Sequence, residues 1–191
     1  MIFNLRIFKK LVKDAYNGGG LIAGREGEEY ILCGGSWAVR IKVDAFDKEY
    51  KAAVIEHIGD LPRDGVFVSK SKTLGDREMS EDTKTGLQIE GIEQECYPAD
   101  LTNVYIRIGE RLCRMIQCMK RNVLIKEELV ALVEDVKEEG MEGPFCNPEE
   151  ELQLYWHNSK CKYVAYIMDA GRETKDQKAL ELLQAVDLSR R

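Results

Sequence analysis

No stretch of this chain approaches the roughly 20 apolar residues that cross a bilayer, so no membrane partner is expected. Nor do residues 1–20 carry an apolar leader, because Lys9, Lys10, Lys13 and Asp14 break the one candidate run, and the expectation is a cytoplasmic protein. Positive charge is not in surplus. With 28 Lys and Arg against 34 Asp and Glu, the net charge of −6 argues against a non-specific nucleic-acid coat and leaves only a local basic face open. Histidine is scarce: His57 and His157 give acid–base catalysis few places to occur. No C-x-x-C pair is present, and the spacing of Cys146, His157 and Cys161 is not that of a zinc finger, so no metal and no cofactor are expected. The six cysteines are read as reduced thiols that pack as small hydrophobes.

What is present is an apolar fraction of 44%, enough for an ample core in a 191-residue chain. The pattern begins with a helix from about Leu5 to Tyr16, capped by Asn4, with Phe3 and Phe8 at the spacing of a hydrophobic staple. Gly18-Gly19-Gly20 follows. Phosphate-cradling glycines follow a strand and open a helix, whereas here they end one, so they are read as a C-cap supplying positive φ.

Leu21–Gly24, Glu29–Cys33 and Ser36–Val43 read as a three-stranded meander, with Trp37, Val39, Ile41 and Val43 on one face. A second helix is expected from the cap Asp44 to Gly59, then a short strand at Val66–Ser69. Lys70–Thr85 is charged enough to be a hairpin tip or loop. Gly86–Ile92, Val104–Gly109 and Arg111–Met119 read as strands, with Pro98, Asp100 and Asn103 punctuating the segment before the second of these. Lys126–Glu139 reads as an acidic helix, 140–149 as irregular, and Glu151–Trp156 with Lys162–Met168 as a hairpin around 157–160. A last helix over Thr174–Val186 would bury Ala179, Leu180, Leu183 and Val186. The fold expected is α+β: antiparallel sheets built from two helix-plus-meander units with helices packed on the sheet. It forms one domain over 1–191, with pseudo-repeats at 1–92 and 100–172 and an extra C-terminal helix at 173–188.

The most coherent polar cluster is Arg6, Lys9, Lys10 and Lys13, which at 100° per residue span an arc of about 100° opposite the apolar side of the first helix. They are the candidate anion- or nucleic-acid-binding residues, set against the plainer reading of a solvated face. No catalytic residue is assigned, although His57 and Cys33 are the groups an unrecognised enzyme would use. Trp37, Tyr155 and Trp156 are read as core or sheet-face residues.

Two short patches resemble bacterial DNA sliding clamps, the ring-forming processivity factors of replication. Gly34-Gly35-Ser36-Trp37-Ala38-Val39-Arg40-Ile41 is similar to the clamp strand entry Asp-Gly-His-Arg-Leu-Ala, and Tyr166-Ile167-Met168-Asp169-Ala170-Gly171-Arg172 to the clamp ending Met-Pro-Met-Arg. The helix-then-meander order is also similar to a clamp domain. The resemblance implies helices with basic faces lining a DNA channel. This chain departs from it in the acidic third helix and the added last one, so it implies a clamp-like fold put to another purpose, such as one in a mobile genetic element. The functional expectation is a non-enzymatic binding or interaction protein whose partner is another protein or a second copy of itself. The alternatives are a nucleic-acid accessory protein using the first helix, and an enzyme of unrecognised type.

Overall fold

A computed structural model describes residues 2–79, 96–119, 121–134, 136, 140–146, 153–167 and 186. The first helix, α1, spans Leu5–Asn17, and the Asn4 side chain accepts a hydrogen bond from the Ile7 N–H at 3.3 Å. Phe3 stacks on Phe8 with ring centres 5.9 Å apart, which is the staple the spacing predicts. The glycines after it are structural, with one correction. Gly18 has φ −101°, and the positive φ falls at Gly20, whose N–H bonds the Ala15 carbonyl at 3.0 Å. The open carbonyls at this helix end are met from a distant segment: Ser71 and Thr73 hydroxyls both donate to the Gly18 carbonyl, and the Lys72 N–H donates to Tyr16.

The meander follows as expected: β1 (Leu21–Glu26), β2 (Glu29–Gly34) and β3 (Trp37–Lys42), paired antiparallel. The second helix, α2, spans Lys48–Ile58 and is capped by Asp47 rather than Asp44, because Ala45 and Phe46 N–H groups turn back to the Lys42 carbonyl before the helix starts. β4 (Phe67–Lys70) lies antiparallel to β1, and β5 (Arg77–Glu78) pairs with β4, so part of the charged segment is strand. The strand expected at 86–92 lies outside the described residues.

β6 runs over Tyr97–Ile108, longer than predicted. Pro98 sits at its start, where a missing donor is tolerated, and a register shift between Leu101 and Tyr105 takes up Asn103. β7 (Arg111–Cys118) follows the Gly109 turn, and β8 (Arg121–Lys126) occupies a segment to which the sequence assigned nothing until the helix. The third helix, α3, spans Glu127–Glu134, because Lys126 belongs to β8. β9 (Glu142–Cys146) replaces the irregular stretch expected there. β10 (Gln153–His157) and β11 (Cys161–Tyr166) form the predicted hairpin, whose turn is tied by the Asn158 side chain accepting from Lys160 and Cys161 N–H groups. The expected last helix lies outside the described residues except for Val186, which sits in a bend, 46% exposed, and is not part of a buried stripe.

Among the described residues the architecture is α+β, three helices on one sheet of eleven strands ordered β5-β4-β1-β2-β3-β11-β10-β9-β6-β7-β8, every pairing antiparallel. The order is nearly symmetric about the β3–β11 contact, with five strands from β3 outward and six from β11 outward. β1 and β9, each the first meander strand after a helix, lie equally far from that contact, flanked by β4 and β6 respectively.

One sheet face carries Leu32, Val39, Ile41, Trp156 and Tyr163, buried against Phe8, Leu11 and Val12 of α1, Tyr50 and Val54 of α2, and Leu129 and Val133 of α3. Trp37 joins this core, as its alternation with Val39 predicts. The opposite face forms a second cluster of Ile31, Cys33, Ala38, Phe67, Tyr155 and Val164.

Candidate anion-binding face of the first helix

α1 is held on three sides. Its apolar stripe lies on the sheet, Phe8 meets Tyr50 of α2 edge-on at 5.1 Å, and the Asn4 N–H preceding it donates to the Leu132 carbonyl of α3 at 2.8 Å. α3 is fixed in turn by the Tyr163 hydroxyl, which donates to the Leu129 carbonyl at 2.9 Å. A helix so anchored presents its remaining face with little freedom. That face carries Arg6, Lys9, Lys10 and Lys13, all exposed, as the periodicity predicts.

The four do not share one environment. Lys10 is ion-paired to Glu128, in the first turn of α3, and lies 3.9 Å from Asp14. The hydrogen bond that Lys10 donates to Glu128 raises the ammonium above its ordinary pKa, desolvation opposing, with the Glu128 and Asp14 charges adding to the rise. Arg6, Lys9 and Lys13 make no ion pair among the described residues and lie within about 60° of one another around the helix. Among the described residues the face is a ridge of three cations without ion pairs and a fourth already engaged. A cationic ridge of this kind is able to attract anions by charge.

The basic character stops at α1. α2 mixes Lys48, Glu49, Lys51 and Glu56 on its solvent side, and α3 begins with Glu127 and Glu128. The helical layer is therefore not uniformly basic, contrary to what the sequence resemblance implies for helices lining a DNA channel.

The other groups considered from sequence are placed apart. Cys33 is buried on the sheet face away from the helices, and burial pushes its thiol up to about 12, which leaves no thiolate near neutral pH. His57 is on the helical side, stacked on Tyr16 at 5.0 Å, so the two do not meet. Cys146 and Cys161 point into the helix-side core, whereas His157 stacks between Phe145 and Tyr155 on the opposite face; the three do not converge on a metal. All six cysteines are free thiols. Sequence reasoning missed a second surface, at the β6–β7 hairpin, where Tyr105 and Leu112 are 47% and 42% exposed beside exposed Arg107. Tyr105 covers the buried Arg114 guanidinium at 5.4 Å. The sequence places a strand over Val104–Gly109 but assigns no role to the outward-facing Tyr105 and Arg107.

No helix among the described residues is long and apolar enough to cross a membrane. No protein-family model matches the sequence, and no curated protein matches it. Among solved structures, the chain is similar to the DNA polymerase sliding clamp from Bacillus subtilis, at 8% identity and a TM-score of 0.39 over 92% of this chain and 66% of that one. It is also similar to the DNA polymerase III subunit beta sliding clamp from Bartonella birtlesii, at 9% identity and a TM-score of 0.22 over 91% of this chain and 65% of that one. The chain spans 66% and 65% of the lengths of these clamps, and its resemblance to bacterial sliding clamps is weak.

Proposed function

We propose that this chain is a non-enzymatic interaction protein that engages an anionic partner through the outer face of α1, and that the partner is a nucleic-acid backbone. The observation that carries the reading is the ridge of Arg6, Lys9 and Lys13, exposed and without ion pairs among the described residues, on a helix immobilised by its buried side. Three pre-positioned cations displace counterions on binding without an ordering cost for the helix itself. The net charge of −6 keeps the contact local to that ridge. In this reading the nearly symmetric strand order reflects the two pseudo-repeats, 1–92 and 100–172, with α1 and α3 in equivalent places and only the first basic.

The test is a titration against duplex DNA over a range of salt. Three phosphate contacts give a slope of log K against log salt of roughly −2.7. Lys9→Glu with Lys13→Glu removes binding. Absence of binding at low salt by the unaltered protein, and by its Glu128→Gln and Glu128→Ala variants, refutes the reading.

A second reading is favoured by a separate observation, the exposed Tyr105 and Leu112 of the β6–β7 hairpin: contact with a protein, here a second copy of the chain. Sedimentation should then show a mass that rises with concentration and that Leu112→Asp returns to the monomer value. A single monomer mass at all concentrations excludes it.

A further inference from the structure

Resting on the α1 reading above, we infer that Glu128 of α3 is an internal competitor of the partner's phosphates for Lys10: it occupies that ammonium and holds the fourth cation of the ridge out of use. The two residues lie 118 apart in sequence and meet because α1 and α3 are packed side by side, through the Asn4–Leu132 hydrogen bond and a shared core. Glu128 is half-buried at the α1 flank, while Lys10 is more than half exposed, so the carboxylate is the fixed partner and the ammonium the mobile one. Once the Glu128 charge is removed, Lys10 can therefore swing on its four-carbon stem to a phosphate oxygen without any movement of the helices. Asp14, one turn further along α1, makes the same demand on Lys10 more weakly at 3.9 Å. Arg6, Lys9 and Lys13 have no such restraint among the described residues. The consequence is a binding face whose strength is held down by a single carboxylate, and which charge loss at that one position would turn up.

The experiment is a double-mutant cycle on duplex DNA across salt, with Glu128→Gln, Lys10→Gln and the combined protein, Glu128→Ala serving as a second neutral variant and thermal melts confirming that each is folded. Glu128→Gln should bind more tightly with a slope steeper by about 0.9, so that its advantage over the unaltered protein shrinks roughly 3- to 4-fold between 50 and 200 mM salt. Lys10→Gln alone should change binding little, because that cation is already engaged, but should abolish the gain in the Glu128→Gln background. If the unaltered protein binds with the slope of three contacts and Glu128→Gln and Glu128→Ala bind no better, the competitor role is overturned and the α1 reading stands. If neither the unaltered protein nor either neutral variant binds at low salt, the α1 reading fails and this inference with it. A gain in Glu128→Gln that persists when Lys10 is also replaced overturns the role assigned to Lys10.

Discussion

The Tyr50 hydroxyl locks the segment before α1 to α2 by making two hydrogen bonds to Phe3, donating to its carbonyl at 2.6 Å and accepting from its N–H at 3.1 Å. Phe3, Phe8 and Tyr50 pack as a ring cluster around this contact, so the entry to α1 is fixed both by shape and by backbone pairing. Burial raises the Tyr50 pKa, which keeps the donor proton in place.

Tyr50→Phe retains the ring and removes both bonds, leaving the Phe3 N–H and carbonyl buried without this partner. The expected cost is about 1–3 kcal/mol. It should appear as a lower denaturant midpoint at unchanged m-value. A midpoint equal to that of the unaltered protein would show that the hydroxyl contributes nothing net.

The elements legible in the sequence are those whose own pattern matches their final surroundings. α1 has a cap, a staple and a clean apolar stripe; β3 alternates Trp37, Val39 and Ile41 onto one face, and both were found within a residue or two. The elements that were missed are made by their neighbours. β9 contains Gly143 and Pro144 and reads as a loop, but it lies between β10 and β6 and takes its conformation from pairing on both sides. β8 was hidden because its turn from β7 contains no glycine or asparagine at the left-handed position: Met119 occupies it at φ 54°. The basic ridge of α1 was visible from periodicity alone. Its division into one cation engaged by Glu128 and three that make no ion pair among the described residues was not, since Lys10 and Glu128 are brought together only by tertiary packing.

Gly24 shows the same limit at a single position. It sits inside β1 opposite Phe67 of β4, and the Phe67 ring fills the space a Cβ at Gly24 would need. Gly24→Ala must displace that ring and should cost about 1–3 kcal/mol, as overpacking does. Combining it with Phe67→Ala should give less than the sum of the two single losses, because the second change removes the obstacle to the first. Strict additivity in chemical denaturation would show that the ring is not what Gly24 accommodates.

Glu127 opens α3 with one carboxylate oxygen buried and without a hydrogen-bond partner among the described residues. Burial raises its pKa, the Arg114 charge opposing and the Glu134 charge adding to the rise. A raised carboxyl pKa favours the protonated folded state, so the stabilisation is full below the unfolded value near 4.3 and is lost as pH rises through the folded one. Glu127→Gln resembles the neutral form. It should raise Tm at pH 7 by roughly 1–3 °C, the scale of a fraction of a kcal/mol in a chain of this length. The difference should close as pH falls below about 4. A gain that is the same at pH 3 and pH 7 would assign it to packing instead.

Arg114 joins the β6–β7 hairpin to the helical layer. Its side chain is buried; Nη1 lies 2.7 and 2.8 Å from the two Glu134 oxygens of α3, and Nε–H donates to the Thr102 carbonyl at 2.7 Å. Tyr105 caps the guanidinium from outside. A lysine cannot reproduce the planar fork that reaches both the carboxylate and the carbonyl, so Arg114→Lys should cost about 1–3 kcal/mol despite keeping the charge. Glu134 is 39% exposed, so Glu134→Gln, which water can partly compensate, should cost about 1 kcal/mol or less. The asymmetry separates two accounts of the contact. If charge attraction carried it, Arg114→Lys would be mild and Glu134→Gln the larger loss. If the fixed geometry of the guanidinium carries it, the order is reversed, and amide exchange in β6 near Thr102 should accelerate in Arg114→Lys but not in Glu134→Gln.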